Sequence, residues 1–178
     1  MQTIKIKDLS FKPFIAEDEL QGLIRNVAQQ INNDYKGKTP LFIGVLNGSF
    51  MFMGDLMKSI DLECLVSFVK LASYEGTETT GKVNQLIGLN ESLEGQDVII
   101  VEDIVDTGNT LEKLHQIIQE KNPNSVKIAT LLFKPEPYKK DFKIDYVAKE
   151  IPNAFVVGYG LDYDGLGRNL PSVYVLNQ

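Results

Sequence analysis

Residues 98–111 constrain this chain more than any other stretch. Val98, Ile99, Ile100 and Val101 are four consecutive β-branched apolar residues, and a run without polar alternation suits a strand covered on both faces, as in a parallel sheet. Glu102 and Asp103 stand where such a strand should end. A turn from Asp106 to Thr110 then leads into a helical pattern, with Leu111, Leu114, Ile117 and Ile118 on one face. A strand-turn-helix aims backbone N–H groups and the positive end of the helix dipole at whatever lies above the turn. Gly108 can adopt a positive φ or admit an anion to the backbone, and Thr107 and Thr110 add hydroxyl donors. One end of the stretch suits a phosphate, and the other suits hydroxyls or a divalent cation. A phosphorylated sugar satisfies both.

The rest of the chain repeats this alternation. Residues 17–32 carry Leu20, Leu23, Ile24, Val27 and Ile31 at helical spacing behind an acidic first turn, Glu17, Asp18 and Glu19, where the dipole favours negative charge. Residues 41–46 read as a second buried strand. Asn47, Gly48 and Ser49 follow, and then a helix over 50–60 with Phe50, Met53, Leu56 and Met57 on its apolar face. Residues 62–71 read as a strand with Leu62, Cys64, Val66 and Phe68 on one side. Residues 72–83 are rich in Gly and Thr and without period, so they form either an active-site lid or a plain connection. Residues 83–89 suit a strand returning antiparallel. A third buried strand spans 126–133 and ends at Lys134 and Pro135; short apolar segments at 146–148 and 155–158 and a last strand at 173–176 complete the pattern. Alternating strands and helices predict an α/β fold with a mostly parallel central sheet flanked by helices. Ligands of such sheets sit beyond the carboxyl ends of the strands. That rule brings Asn47, Gly48, Ser49, Glu102, Asp103, the turn from Asp106 to Thr110, and Lys134 to one crevice.

The length of 178 residues suits a single domain. No apolar run approaches the roughly 20 residues of a membrane span, no signal peptide is apparent, and the single cysteine, Cys64, reads as a small buried hydrophobe; these features point to the cytoplasm. A net charge of -6 and a pI of about 4.9 argue against a nucleic-acid binder. The pair Lys139 and Lys140 reads as a solvated turn, and the lone His115 as a packing residue beside its helix's buried face. An acidic chain must bind phosphates through local donors and metal.

The run from Val101 to Thr110, Val-Glu-Asp-Ile-Val-Asp-Thr-Gly-Asn-Thr, resembles the phosphoribosyl pyrophosphate motif of type I phosphoribosyltransferases. Further segments are similar to the hypoxanthine-guanine subfamily: Leu46-Asn47-Gly48-Ser49, Ser73-Tyr74, Lys134-Pro135, and Phe155-Val156-Val157-Gly158-Tyr159-Gly160-Leu161-Asp162-Tyr163 with Arg168. The resemblance implies a core over about residues 40–150, a small hood from the N- and C-terminal segments, and a flexible lid at about 72–83. It implies transfer of 5-phosphoribosyl from phosphoribosyl pyrophosphate to a 6-oxopurine, hypoxanthine or guanine, giving IMP or GMP and pyrophosphate. On that likeness Glu102 and Asp103 would hold the ribose hydroxyls and Mg²⁺, and Asp106 would act as general acid/base at purine N7. Thr107, Gly108, Asn109 and Thr110 would cradle the 5′-phosphate. Lys134 would donate to the 6-oxo group, Phe155 would stack on the base and the Val156 backbone would meet its edge. Asp162 would help hold a second Mg²⁺ and border the purine, while Asn47, Gly48, Ser49 and Arg168 would meet pyrophosphate. Ser73 and Tyr74 would belong to the lid. The resemblance further implies a homo-oligomer, dimer or tetramer, with no nucleic-acid or membrane partner.

Two positions depart from relatives, since Asn47 stands where many have Lys and Asn109 where some do. The first removes a charge from the pyrophosphate loop; the second matters less where backbone N–H groups bind the phosphate. Asp-Thr-Gly also occurs in aspartic proteases, but a helix follows it here. The alternative function is a regulator that senses phosphoribosyl pyrophosphate and binds nucleic acid.

Overall fold

The computed structural model describes residues 2–72, 84–88 and 92–177. In chain order the elements are β1 (Ile4–Ile6), β2 (Leu9–Ile15), α1 (Glu17–Asp34), β3 (Leu41–Val45), α2 (Phe50–Met57), β4 (Leu65–Ala72), β5 (Asn84–Ile87), β6 (Asp97–Val105), α3 (Asn109–Gln119), β7 (Ser125–Phe133), β8 (Tyr146–Glu150), β9 (Val156–Val157) and β10 (Val173–Leu176). The large sheet has the order β5-β4-β3-β6-β7-β8. Strands β4, β3, β6, β7 and β8 run parallel, and β5 returns antiparallel along β4.

The unbroken apolar runs are explained by helices on both faces. Phe42, Ile99, Val101 and Ala129 point to one side, where Leu20, Ile24, Val27 and Ile31 of α1 and Phe52, Met53 and Leu56 of α2 cover them. Leu41, Ile43, Val45, Val98, Ile100 and Ile128 point to the other, under Leu111, Leu114 and Ile118 of α3. Each such side chain contributes about 1.5–3 kcal/mol when fully buried. Leu114 is wholly enclosed, so its truncation to Ala should cost about 2–5 kcal/mol.

A second, antiparallel sheet of order β1-β2-β10-β9 joins the two ends of the chain, with Ile6, Phe11, Val157 and Tyr174 in its own small core. The expected hood thus has a structural basis. Its N-terminal strands carry little sequence signal, because β1 is only three residues long and β2 contains Pro13.

Several local expectations need correction. Strand β6 continues to Val105, so Glu102 and Asp103 lie within it rather than at its end, and Glu102 is in register with Thr130 of β7. Helix α2 stops at Met57 and leaves Phe50 exposed. Strand β4 begins only at Leu65, and Leu65 and Val66 are exposed. Residues 146–148 belong to a full edge strand, β8, paired to β7. The expected lid, with Ser73 and Tyr74, lies outside the described residues. Among the described residues no helix is long and apolar enough to cross a membrane.

The topology places the site. From β3 the chain moves to β4 on one side, and β6 then returns to β3's other flank. The carboxyl ends of β3 and β6 therefore diverge at a switch point, where α/β sheets leave a crevice.

Candidate active site

The loop after β6 forms a cradle. Gly108 has φ +77° and caps α3 without any side-chain hydrogen bond to the helix, so the first-turn N–H groups remain available to a ligand. A cavity of about 130 Å³ lies over this turn, lined by Glu102 and residues 104–111. A Cβ on Gly108 would come within 2.6 Å of the Tyr138 ring and 3.1 Å of Lys140 Cγ, so both conformation and space demand glycine. Lys140 is correspondingly no solvated turn residue. Its stem packs behind the cradle, and its Nζ lies 2.8 Å from Glu112 Oε2 on the first turn of α3. His115 stacks on Phe142 with ring centroids 5.2 Å apart, in agreement with a packing role.

Beneath the cradle lie two adjacent carboxylates in β6. Burial pushes Glu102 well above the usual carboxylate range, and the neighbouring Asp103 charge adds to this. Asp103 is pushed up to about 6, chiefly by burial. The Ile104 N–H, 2.9 Å from Asp103 Oδ1, and the Arg168 charge oppose that rise, while Asp162 reinforces it. Among the described residues neither Glu102 nor Asp103 has an ion-pair partner. The pair is short of positive charge.

Asp106 is different. Its Oδ2 accepts a hydrogen bond from Lys134 Nζ at 2.8 Å, and the Lys134 side chain is 9% exposed while that of Asp106 is 45% exposed. A buried cation at the end of β7 thus reaches across to the carboxylate at the end of β6.

The loop after β3 closes the other side. Its Leu46–Asn47 peptide bond is cis, and Asn47 is exposed. Gly48 is buried directly against the Asp103 carboxylate, with no room for a Cβ. Ser49 is wholly buried and its hydroxyl donates to the Val45 carbonyl at 2.7 Å, so its side chain is committed to the strand end rather than offered to a ligand. Gly160, at φ +98°, backs onto the Gly48 carbonyl. Arg168 Nη1 donates to the Gly160 carbonyl at 2.7 Å, and Nη2 pairs with Asp162 Oδ1 at 2.6 Å. Asp162 Oδ2 accepts from the Gly165 N–H. Phe155 is 43% exposed with its ring edge-on to Tyr163, and Val156 is buried in β9.

Gly48 thus lies against Asp103, which feels the charges of Asp162 and Arg168, and Lys134 meets Asp106. Tyr159 and Gly160 stand in the motif quoted from the sequence but receive no role there; the structure shows Gly158, Tyr159 and Gly160 as three successive residues at positive φ, for which the paired glycines are the sequence signal.

Among the described residues no three His, Cys, Asp or Glu side chains form a ready metal cage. Mg²⁺ seldom needs one, as it is held by one or two carboxylates together with substrate phosphates and water. The hard oxygens of Glu102 and Asp103, buried and uncompensated, fit such an ion. Asp162, engaged by Arg168, is a weaker candidate.

Comparison with known proteins agrees with this fold. The family model of the phosphoribosyl transferase domain matches residues 16–164. A curated hypoxanthine-guanine phosphoribosyltransferase of Staphylococcus aureus is 44% identical over 163 residues, 91% of either chain; that of Staphylococcus epidermidis is 44% identical over 171 residues, 96% of this chain and 95% of the relative. The crystal structure of a hypoxanthine-guanine phosphoribosyltransferase from Bacillus anthracis, with a HEPES molecule in its active site, superposes with a TM-score of 0.87 at 40% identity, covering 93% of this chain and 98% of that one.

Proposed function

The chain belongs to the phosphoribosyl transferase family, and from that premise we propose that it is a purine-salvage enzyme that joins hypoxanthine or guanine to the ribose of phosphoribosyl pyrophosphate. The products are IMP or GMP and pyrophosphate. The single observation that carries the purine half is the Lys134–Asp106 pair beside the phosphate cradle. A 6-oxopurine offers an acceptor at O6 and a titrating nitrogen at N7, which match a buried ammonium and a more exposed carboxylate.

The residues divide the work. The α3 N-terminus with Thr107, Gly108, Asn109 and Thr110 receives the 5′-phosphate, its N–H groups supplying the charge that the Asn109 side chain lacks. Glu102 and Asp103 hold the ribose hydroxyls. As purine enters, Lys134 exchanges Asp106 for the 6-oxo oxygen, which a 6-amino purine could not supply as acceptor. The freed Asp106 carboxylate takes the proton from N7 as N9 bonds to the anomeric carbon and pyrophosphate leaves. Phe155 covers the base face, the Val156 backbone meets its edge, and Asp162 borders it. Arg168, with Asn47 and Gly48, lies toward pyrophosphate; Ser73 and Tyr74 complete the lid that excludes water.

Mg²⁺, held by Glu102, Asp103 and in part Asp162, would supply compensation for the negative charge that develops on pyrophosphate. We place the enzyme in the cytoplasm as a homo-oligomer, dimer or tetramer, and the whole of residues 1–178 as one phosphoribosyltransferase domain. The regulator reading finds no support, since the curated relatives are named as transferases.

The test is Mg²⁺-dependent release of pyrophosphate with hypoxanthine, guanine and xanthine in turn. Release with at least one of the first two is expected. Absence of turnover, combined with salt-sensitive binding of RNA, would replace this reading by the regulator.

A further inference from the structure

The residues assigned to the pyrophosphate end are backed by one buried side chain, Tyr159. Tyr159 is 1% exposed, yet its backbone is left-handed at φ +51°, a conformation that a residue with a Cβ adopts only when its surroundings hold it there. Three bonds do so. Its N–H donates to the Leu170 carbonyl at 2.9 Å. Its hydroxyl donates to the Asp55 carboxylate on α2. Gln21 Nε2 on α1 donates to Asp55 Oδ2 at 2.7 Å and approaches the Tyr159 hydroxyl at 3.5 Å.

The following residue transmits this anchor. Gly160 backs onto the Gly48 carbonyl, Gly48 onto the Asp103 carboxylate, and Arg168 is fastened to the Gly160 carbonyl while holding Asp162. Asp55 belongs to α2, whose N-terminus is the loop that carries Asn47 and Gly48. The 5′-phosphate cradle has a separate support in Tyr138 and Lys140.

We propose that Tyr159, Asp55 and Gln21 are positioning residues that set the gap between the β3–α2 loop and the Asp162–Arg168 pair, and so set affinity for pyrophosphate far more than affinity for the nucleoside monophosphate. This rests on the transferase reading above. A hydroxyl-to-carboxylate bond in a buried setting is charge-assisted and directional. Without it Gly160 is free to lift from Gly48, carrying Arg168 with it.

The experiment is the reverse reaction, IMP plus pyrophosphate, measured for the wild type, Tyr159→Phe, Asp55→Ala and the double variant, with thermal unfolding in parallel. Turnover by the wild type tests the transferase reading itself, and its absence would fail that reading rather than the peg. Given turnover, Tyr159→Phe should raise the KM for pyrophosphate about 5- to 30-fold and leave the KM for IMP within about twofold, with the double variant no worse than the worse single one. Asp55→Asn, which keeps an oxygen for the Tyr159 hydroxyl, should fall between wild type and Asp55→Ala, and it carries the test if Tyr159→Phe does not fold. An unchanged KM for pyrophosphate in a folded variant would overturn the proposal, as would equal rises for both substrates or strictly additive effects.

Discussion

The loops after β3 and after β6 begin from the same local plan and end as different devices. Both follow a strand buried on both faces, both contain a glycine, and both enter a helix at the switch point. In the β6 loop the glycine is the helix cap at positive φ, and the first-turn N–H groups face a cavity. In the β3 loop the glycine is buried against Asp103, and the hydroxyl and N–H of Ser49 both go to Val45. One loop presents its own backbone to a cavity. The other is a wall whose shape depends on the carboxylates beneath it and the hood behind it. A small-residue turn between strand and helix is therefore not by itself an anion site; what its N–H groups are already doing decides.

The largest effect expected from breaking this contrast lies on the β6 side. Asp106→Asn should lower turnover by about 10²–10⁴-fold at saturating substrates if Asp106 is the general acid/base, and steady-state kinetics showing near-normal turnover would remove it from that role. A methyl group on either glycine distinguishes the loops next. Gly108→Ala should weaken ribose 5-phosphate and phosphoribosyl pyrophosphate alike, because both carry the 5′-phosphate that the cradle receives. Gly48→Ala should displace the Asp103 carboxylate and weaken phosphoribosyl pyrophosphate more than ribose 5-phosphate, which has no pyrophosphate to meet this wall. Roughly tenfold losses of phosphoribosyl pyrophosphate binding are expected in each case, and calorimetric titration with both ligands would show whether only Gly48→Ala discriminates between them.

A smaller effect concerns stability. Asp103 titrates near 6 in the folded chain against an ordinary 3.8. A carboxylate raised in this way binds more protons folded than unfolded, so stability is greatest below its unfolded value and falls as pH rises through about 6. Asp103→Asn should accordingly stabilise the free protein by about 1–3 kcal/mol at pH 8, with the gain closing below about pH 4. Thermal unfolding across that range checks the sign, and a gain largest in acid would refute the assignment. The smallest expected change is in the exposed position of the wall: Asn47→Lys should tighten pyrophosphate binding several-fold, an ion-pair gain of about 1 kcal/mol, and unchanged product inhibition would contradict it.

Much of the site was legible because its residues are close in sequence. Glu102, Asp103, Asp106 and Gly108 follow a strand whose burial is written in four β-branched residues, and the helix after them has a clear apolar stripe. Lys134 was legible as the end of another such strand. The N-terminal strands of the hood were not, since β1 has only three residues and β2 carries a proline. Nor was the role of Lys140, a surface-like residue whose stem finds Gly108 only in three dimensions. Phe50 and Val66 were read as inward on periodicity alone, but a period names a face and cannot say whether anything covers it.

The sequence by itself determined the alternation of elements, the buried sheet and the glycine turn between β6 and α3, because strand burial, helix amphipathicity and turn chemistry act over a few neighbouring residues. Only the tertiary structure decided that Lys134 meets Asp106, that Ser49 is spent on its own strand and that Gly160 lies on Gly48. These contacts join residues 28, 4 and 112 positions apart. The two long ones depend on which strands are neighbours and where the hood lands. The short one depends on a hydroxyl's direction, which steric fit inside a packed core selects and no local pattern records.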